Sequence, residues 1–296
     1  MNDIQKNRKL YKKRIKLYSV DLFNPEYHKI WITNRLKDKF KIKFVKNNPD
    51  YLIYNVFGDE HLNKKYNNSI KIAIFTENRI PDLNEVDYAF GQAHINYLDR
   101  YFKIPVFLWC NIKAIKKFRE NILNNPMRTK FCAAVISHGE IGQFRIKFIN
   151  ELNKYKKIDK GGGYLNNVGG PVKDKIEFLS SFKFSIAMEN SEGDGYVSEK
   201  LYDSFISGTI PIYFGDYTVD EYINPRSFIL IKNEKNIKEK IEFIKEIDNN
   251  NEKYHNLLKE NVLINDNIIN IIEKEEKEFL SHIFEQEKVK AKRIHN

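Results

Sequence analysis

Lys200 stands where a helix begins. Ser198 has the features of an N-cap, and Leu201, Tyr202, Phe205 and Ile206 form one helical stripe that Gly208 ends. A cation in the first helical turn opposes the positive end of the helix dipole, at a cost of about 0.3–1 kcal/mol. A bound pyrophosphate would reverse that sign, because backbone N–H groups at a helix start attract anions. The alternative reading leaves Lys200 solvated, or paired with Glu199 or Asp203. Arg145 repeats the pattern: it opens a helical segment, Phe144 to Tyr155, just after the apolar run Phe131 to Ser137. Its alternative reading is a surface arginine. Glu77 is the third such residue. It follows the run Ile70 to Phe75, and a carboxylate just past a buried parallel strand faces the crevice of an open α/β sheet. Such a placement suits a catalytic carboxylate. Pairing with Arg79, or capping the next turn, are its other readings.

The elements that must hold these groups are legible around Lys200. Phe184 to Met188 reads as a buried strand. Glu189, Asn190, Glu192, Asp194 and two glycines form a polar loop, and Ile210 to Phe214 returns as a second strand. Strand, loop, helix and strand make a βαβ unit with parallel pairing and a right-handed crossover. Earlier in the chain, strands are expected at Ile15 to Val20, Phe40 to Val45, Asp50 to Phe57, Ile70 to Phe75, Val86 to Phe90 and Ile104 to Trp109. A helix-containing segment spans Pro25 to Arg35. Alternation of this kind is α/β.

The basic, Asn-rich stretch from Ile112 to Arg128 separates two halves. The expected division is 1–125, 126–265, and a terminal helix with a basic tail over 266–296. In the second half, Ser137 to Glu140 is a turn and Lys173 to Ser181 a helix. Gly161 to Gly163 and Gly169 to Pro171 bracket a loop with no Walker lysine after it. Past Gly215 come a short helix (Val219 to Ile223), a strand (Phe228 to Ile231) and an amphipathic helix (Asn233 to Ile247). From Asn251 the chain is helical to near its end.

Composition narrows the classes. Hydrophobic residues make up 42% and aromatics 14%, enough for a sizeable core, and no apolar run reaches the length of a membrane span. The basic N-terminus lacks the apolar segment of a secretory signal. The two cysteines, Cys110 and Cys132, lie in or beside apolar runs and read as inert buried thiols, which fits a reducing cytoplasm. The seven histidines show no metal-ligand spacing. The net charge of +10 favours anionic partners. Basic residues are scattered among acidic ones and carry no recognition motif, so nucleic acid is not expected. The basic termini are candidates for peripheral contact with anionic headgroups at the inner membrane face, against a solvated, frayed tail as the other reading.

The segment from Asn190 to Lys200, followed by Gly-Thr-Ile-Pro-Ile-Tyr-Phe-Gly215, resembles the donor-binding motif of the α-1,3/4-fucosyltransferases, especially their bacterial members. Phe75-Thr-Glu-Asn78, Val86 to Gly91, Leu98 to Pro105 and the triple glycine are similar to that family too. The family's Thr-Gly-Glu-Asn lacks its glycine here. The resemblance implies α/β architecture with two facing Rossmann-like domains (the GT-B type). An N-terminal half would hold the glycan acceptor and a C-terminal half GDP-fucose. It implies inverting transfer without an essential divalent metal, and Glu77 as general base. Arg145, which precedes Asn190 by the family's 45 residues, and Lys200 would stabilise the departing GDP. Asn190 and Tyr196 would contact the donor. Glu199 would face the charge on the fucose ring or hold hydroxyls, and Glu189 has no assigned role. The acceptor common in the family is a β-galactosyl-GlcNAc unit. The rival readings are a same-fold enzyme using another sugar nucleotide, and a non-catalytic nucleotide or polyanion binder.

Overall fold

The apolar runs become parallel strands. The computed structural model describes residues 12–104, 115, 128–137, 143–191, 193 and 195–294. The chain divides into two units. One comprises Met1–Gly91, Ile95–Ile104 and Asn270–Asn296, the other Gln92–His94 and Pro105–Ile269. The boundary expected near residue 125, Cys110, the strand past Ile104, the turn at 138–140, Glu192, Asp194 and the first eleven residues lie outside the described residues.

The first unit holds a six-stranded parallel sheet in the order β2-β1-β3-β4-β5-β6. Its strands are β1 (Lys13–Val20), β2 (Phe40–Phe44), β3 (Tyr51–Tyr54), β4 (Ile70–Ile74), β5 (Tyr88–Gly91) and β6 (Tyr101–Lys103). Side chains alternate across it, as the strand period demands. Leu52, Tyr54, Ala73 and Ala89 pack on one face with Val20 and Tyr66. Tyr51 and Phe90 point to the other face, where helices cover them. Helix α1 (Pro25–Leu36) starts from Asn24, whose side chain caps the Tyr27 N–H, with Pro25 in its first turn. Its Trp31 ring meets Phe90 at 5.7 Å.

The terminal segment from Asn270 belongs to this unit. Phe284 stacks against Tyr51 at 4.5 Å and Phe279 meets Phe90 at 5.0 Å. The buried Glu276 takes the Trp31 indole N–H at 2.9 Å and the Arg35 guanidinium at 2.5 Å. The tail is docked rather than frayed. Asp87, fully buried, accepts from the backbone N–H groups of Lys71, Arg293 and Ile294 and from the Lys292 ammonium. Arg293 also pairs with Asp99, and Lys288 with Asp50. This explains why β5 starts two residues later than its apolar pattern suggests: Asp87 receives the tail.

The second unit carries a five-stranded parallel sheet in the order β11-β10-β9-β7-β8. Its strands are β7 (Lys130–Ala134), β8 (Ile158–Lys160), β9 (Phe182–Met188), β10 (Ile210–Phe214) and β11 (Ile229–Leu230). Helices α2 (Gln143–Asn153) and α5 (Ile237–Asp248) cover the face formed by Ile186, Met188, Ile210 and Ile212. Helix α4 (Glu199–Ile206) covers the opposite face with Ala187 and Tyr213. Between them in sequence, α3 (Lys175–Leu179) leads into β9.

The helical C-terminal stretch is broken into α6 (Asn251–Lys259), α7 (Ile268–Glu285) and α8 (Lys288–Ala291). An isolated bridge between Ile223 and Leu263 occupies the first break. Among the described residues no helix is long and apolar enough to cross a membrane. Cys132 is buried, and burial pushes its thiol up.

Both sheets share one strand order. In each, the first strand is flanked by the second on one side and the third on the other. The switch point falls between β1 and β3 in the first unit and between β7 and β9 in the second. Loops leave such a pair in opposite directions, so a crevice opens at the strands' carboxyl ends.

Candidate active site

The switch point of the second sheet is where Arg145 and Asn190 meet. Arg145 lies in the first turn of α2, after β7, and Asn190 lies just past β9. The Arg145 Nη1 donates to Asn190 Oδ1 at 2.6 Å and approaches the Met188 carbonyl at 3.4 Å. Arg145 is 2% exposed, which excludes the surface reading. Burial pushes its guanidinium below the ordinary value, and the Glu189 carboxylate pushes it back up. The guanidinium keeps its charge in a place where its field is poorly screened.

Next to Asn190, Glu189 directly follows β9 and has no solvent exposure. Its Oε1 accepts the Ser198 backbone N–H at 2.8 Å and the Ser198 hydroxyl at 2.8 Å. Its Oε2 lies 3.0 Å from the Lys200 ammonium. Ser198 is the N-cap of α4, as its type predicts, and its Oγ also accepts from the Lys200 N–H at 3.3 Å. Lys200 is therefore neither solvated nor paired with Asp203, which bonds Lys175 instead. Glu199 stands 3.8 Å from the ammonium with a side chain 56% exposed. Its carboxylate is the accessible one of the pair, and Glu189 is the buried one.

The loop that brings these groups together is sterically exacting. Gly195 has φ +88°, and a Cβ there would fall 1.8 Å from the Gln92 carbonyl oxygen. Gln92 in turn accepts the Val197 N–H at 3.0 Å, and Tyr196 is buried beside it. On the neighbouring strand, Gly215 packs where a Cβ would meet the Tyr213 hydroxyl at 2.5 Å and Glu189 Cγ at 2.7 Å. Burial raises the Tyr213 phenol well above its ordinary value, aided by the charges of Glu189 and Asp216.

Glu77 belongs to the first unit. It is exposed, two residues past Phe75 and three past the end of β4, an interior strand between β3 and β5. No ion pair to Arg79 is present among the described residues. The Glu77 backbone carbonyl accepts the Arg79 N–H at 2.7 Å, and the residue itself is exposed.

The second unit thus joins Arg145 to Asn190 and Lys200 to Glu189, with Glu199 at the rim and Tyr196 buried in the same loop. The role of Glu189 is the one that sequence reasoning missed. The signal was a carboxylate directly ending a buried strand, which must find donors. Two buried or half-buried cations at a switch point and a helix start can hold a diphosphate. Among the described residues no cluster of His, Cys, Asp and Glu is arranged to hold a metal ion.

Comparison with known proteins agrees with this chemistry. Residues 17–110 match the family described as "Alpha-(1,3)-fucosyltransferase FucT N-terminal domain". Residues 125–276 match "Glycosyltransferase family 10 (fucosyltransferase) C-term". The chain is 32% identical over 247 residues to the alpha-(1,3)-fucosyltransferase FucT of Helicobacter pylori, covering 72% of this chain and 52% of that protein. It is 33% identical over 133 residues to human 4-galactosyl-N-acetylglucosaminide 3-alpha-L-fucosyltransferase 9, covering 44% of this chain and 36% of that protein. The chain thus spans about half the length of the bacterial relative and less of the human one. A crystal structure of an α1,3-fucosyltransferase with GDP-fucose superposes with a TM-score of 0.75 at 25% identity, over 94% of each chain. The α/β fold with two parallel-sheet domains is that of GT-B fucosyltransferase structures. The chain belongs to glycosyltransferase family 10, the fucosyltransferases.

Proposed function

We propose that this chain transfers L-fucose from GDP-β-L-fucose to a glycan hydroxyl with inversion, as the bacterial members of the family do. The acceptor is taken to be the GlcNAc of a β-galactosyl-GlcNAc unit, giving an α-1,3 linkage, with α-1,4 as the alternative. The observation that carries the donor reading is the Arg145–Asn190 contact at 2.6 Å at the switch point, beside Lys200 at the start of α4. Charge builds on the diphosphate as the fucose–oxygen bond breaks. Fixed cations stabilise it without reorganising. Glu189 holds the Lys200 ammonium in place, and Ser198 holds Glu189. Glu199 supplies the accessible carboxylate for the positive charge spreading over the fucose ring. Glu77 takes the proton from the attacking hydroxyl. Two cations serve the leaving group, so turnover is expected to persist in EDTA.

The basic tail contributes little to membrane contact in this reading. Lys288, Lys292 and Arg293 pair with Asp50, Asp87 and Asp99 of their own unit.

The test is release of GDP from GDP-fucose, with and without N-acetyllactosamine, in EDTA. Acceptor-dependent release supports donor, acceptor and metal independence together. Failure of GDP-fucose to bind by calorimetry, alongside binding of another sugar nucleotide, would overturn the fucose assignment in favour of the same-fold rival.

A further inference from the structure

The first sheet has the same strand order as the second, and its switch point carries a feature that the donor chemistry does not use. The loop after β1 contains Asp21, Leu22 and Phe23. The loop after β3 contains Asn55, Val56 and Phe57. Phe23 is 86% exposed and Phe57 48% exposed. Their rings lie 5.9 Å apart at 53°. Two large aromatic faces left in water at the mouth of a crevice are unfavourable for the free protein, each leaving apolar area that burial would stabilise.

The loops that carry them are pinned. Asp21 has φ 54°, a conformation that a non-glycine residue adopts only when its surroundings impose it. Its carboxylate accepts from the Glu60 N–H at 3.2 Å, the His61 N–H at 2.9 Å and the His61 imidazole at 2.7 Å. The imidazole is stacked on Tyr54 at 4.0 Å and 7°. Gly58, next to Phe57, leaves room for Asp21 alone: a Cβ there would fall 2.4 Å from its Oδ1. Asp21 therefore clasps the β3 loop to the β1 loop and sets Phe57 beside Phe23. Asn55, 1% exposed, carries the clasp one strand further by donating to Thr76 Oγ1 at 3.3 Å. Thr76 immediately precedes Glu77.

We propose that the Phe23–Phe57 pair is a stacking platform for a neutral pyranose ring of the acceptor glycan. The name acceptor rests on the fucosyl-transfer reading above; the sugar-binding claim does not. The axial C–H face of a pyranose is apolar and flat and packs on an aromatic face, while its hydroxyls stay at the edges. The side chains of the Asp21–His61 pair and Asn55 are buried and hold the loops; the exposed Asp59, two residues past Phe57, is the polar group placed to meet a hydroxyl at such an edge. Neighbouring strands are about 4.8 Å apart, so the ends of β1 and β4 are separated by about 10 Å, the span of two sugar rings. A disaccharide whose distal ring rests on the phenylalanines can reach the strand end that carries Glu77. The pinned clasp makes the platform preformed, which favours selection among ring stereochemistries.

The test uses the full chain with Phe23→Ala, Phe57→Ala and the double variant, plus Phe23→Trp. The exposure of Phe23 makes its truncation harmless to folding, and GDP affinity by calorimetry within two-fold of wild type confirms an intact second unit. Saturation-transfer NMR on a panel of lactose, N-acetyllactosamine and lacto-N-biose reads sugar binding without any transfer step. The expected result is ring-proton saturation in wild type, about ten-fold weaker sugar binding in each alanine variant, and retained binding in Phe23→Trp. Unchanged sugar binding in the double variant would overturn the platform, as would absence of any signal in wild type. A double variant that binds sugar normally but loses self-association in sedimentation would overturn it in favour of a contact between copies. If wild type binds sugar through the pair yet releases no GDP from GDP-fucose, the fucosyl reading fails while the platform stands.

Discussion

The Lys200 ammonium lies 3.0 Å from a carboxylate, Glu189, that has no solvent exposure. Glu189 is held from the other side by the N-cap of the helix on which Lys200 sits. One buried carboxylate thus sets both the start of α4 and the aim of its first cation. Removing Lys200 leaves Glu189 without its counter-charge. Lys200→Ala is expected to lower stability by about 3 kcal/mol in a denaturant titration and GDP affinity by at least about ten-fold. Adding Glu189→Gln should restore part of the stability but none of the affinity. Strict additivity of the two changes in stability would show that the pair is not coupled.

Glu77 is exposed and outside the described ion pairs of the first unit, so its substitution should be silent in folding. Glu77→Gln is expected to reduce turnover by roughly 10²- to 10⁴-fold, the usual contribution of a general base. GDP binding by calorimetry should match wild type. Turnover within two-fold of wild type would remove Glu77 from the mechanism.

Gly215 sits between the Tyr213 hydroxyl and Glu189 Cγ, 2.5 and 2.7 Å from where a Cβ would lie. Neither neighbour can retreat, since both are buried. Gly215→Ala should destabilise by about 1–3 kcal/mol through overpacking. It should also weaken GDP binding by displacing Glu189 and with it Lys200. Normal stability with normal affinity would mean that the strand end yields more readily than its packing implies.

Asp248 closes α5 against the sheet. Burial raises its carboxyl, but hydrogen bonds from Lys156 and Lys183 outweigh burial and hold it below the ordinary value. A lowered folded pKa means stability that is present above the unfolded value, about 3.9, and is lost as pH falls through the lowered one. Asp248→Asn is therefore expected to cost about 1–3 kcal/mol at neutral pH. That difference should shrink below about pH 4. Denaturation midpoints measured at pH 7 and pH 3 check this; an equal deficit at both would disprove the linkage.

Much of the second unit was legible because its strands are uninterrupted apolar runs. Buried on both faces, Ile210–Phe214 can be little else, and Ser198 and Gly208 mark the ends of the helix before it. The short β6 and β8, three residues each, carry too little pattern to be seen. The break between α6 and α7 was missed because the apolar Val262, Leu263 and Ile264 were read as part of one helical stretch; the weak helix formers Asn261, Asn265, Asp266 and Asn267 around them mark it, and Leu263 bridges to Ile223 instead. The tail reads as a basic run, either solvated or set against anionic headgroups. Its Lys292 and Arg293 find Asp87 and Asp99, acids that lie 194 to 206 residues away in sequence.

Of the site, the sequence by itself determined which residues stand at strand ends and helix starts. Those placements follow from local periodicity and capping, which act within a few residues. Local pattern therefore singled out Glu77, Arg145 and Lys200 as candidates, while Asn190, Tyr196 and Glu199 came from the resemblance of their segment to a donor-binding motif. Only the tertiary structure decided the pairings: Arg145 with Asn190 across two strands, Lys200 with Glu189 rather than Asp203, and Phe23 with Phe57 at the other switch point. Strand order sets those neighbours, and strand order is a property of the whole sheet. No local pattern encodes which strand will lie beside which.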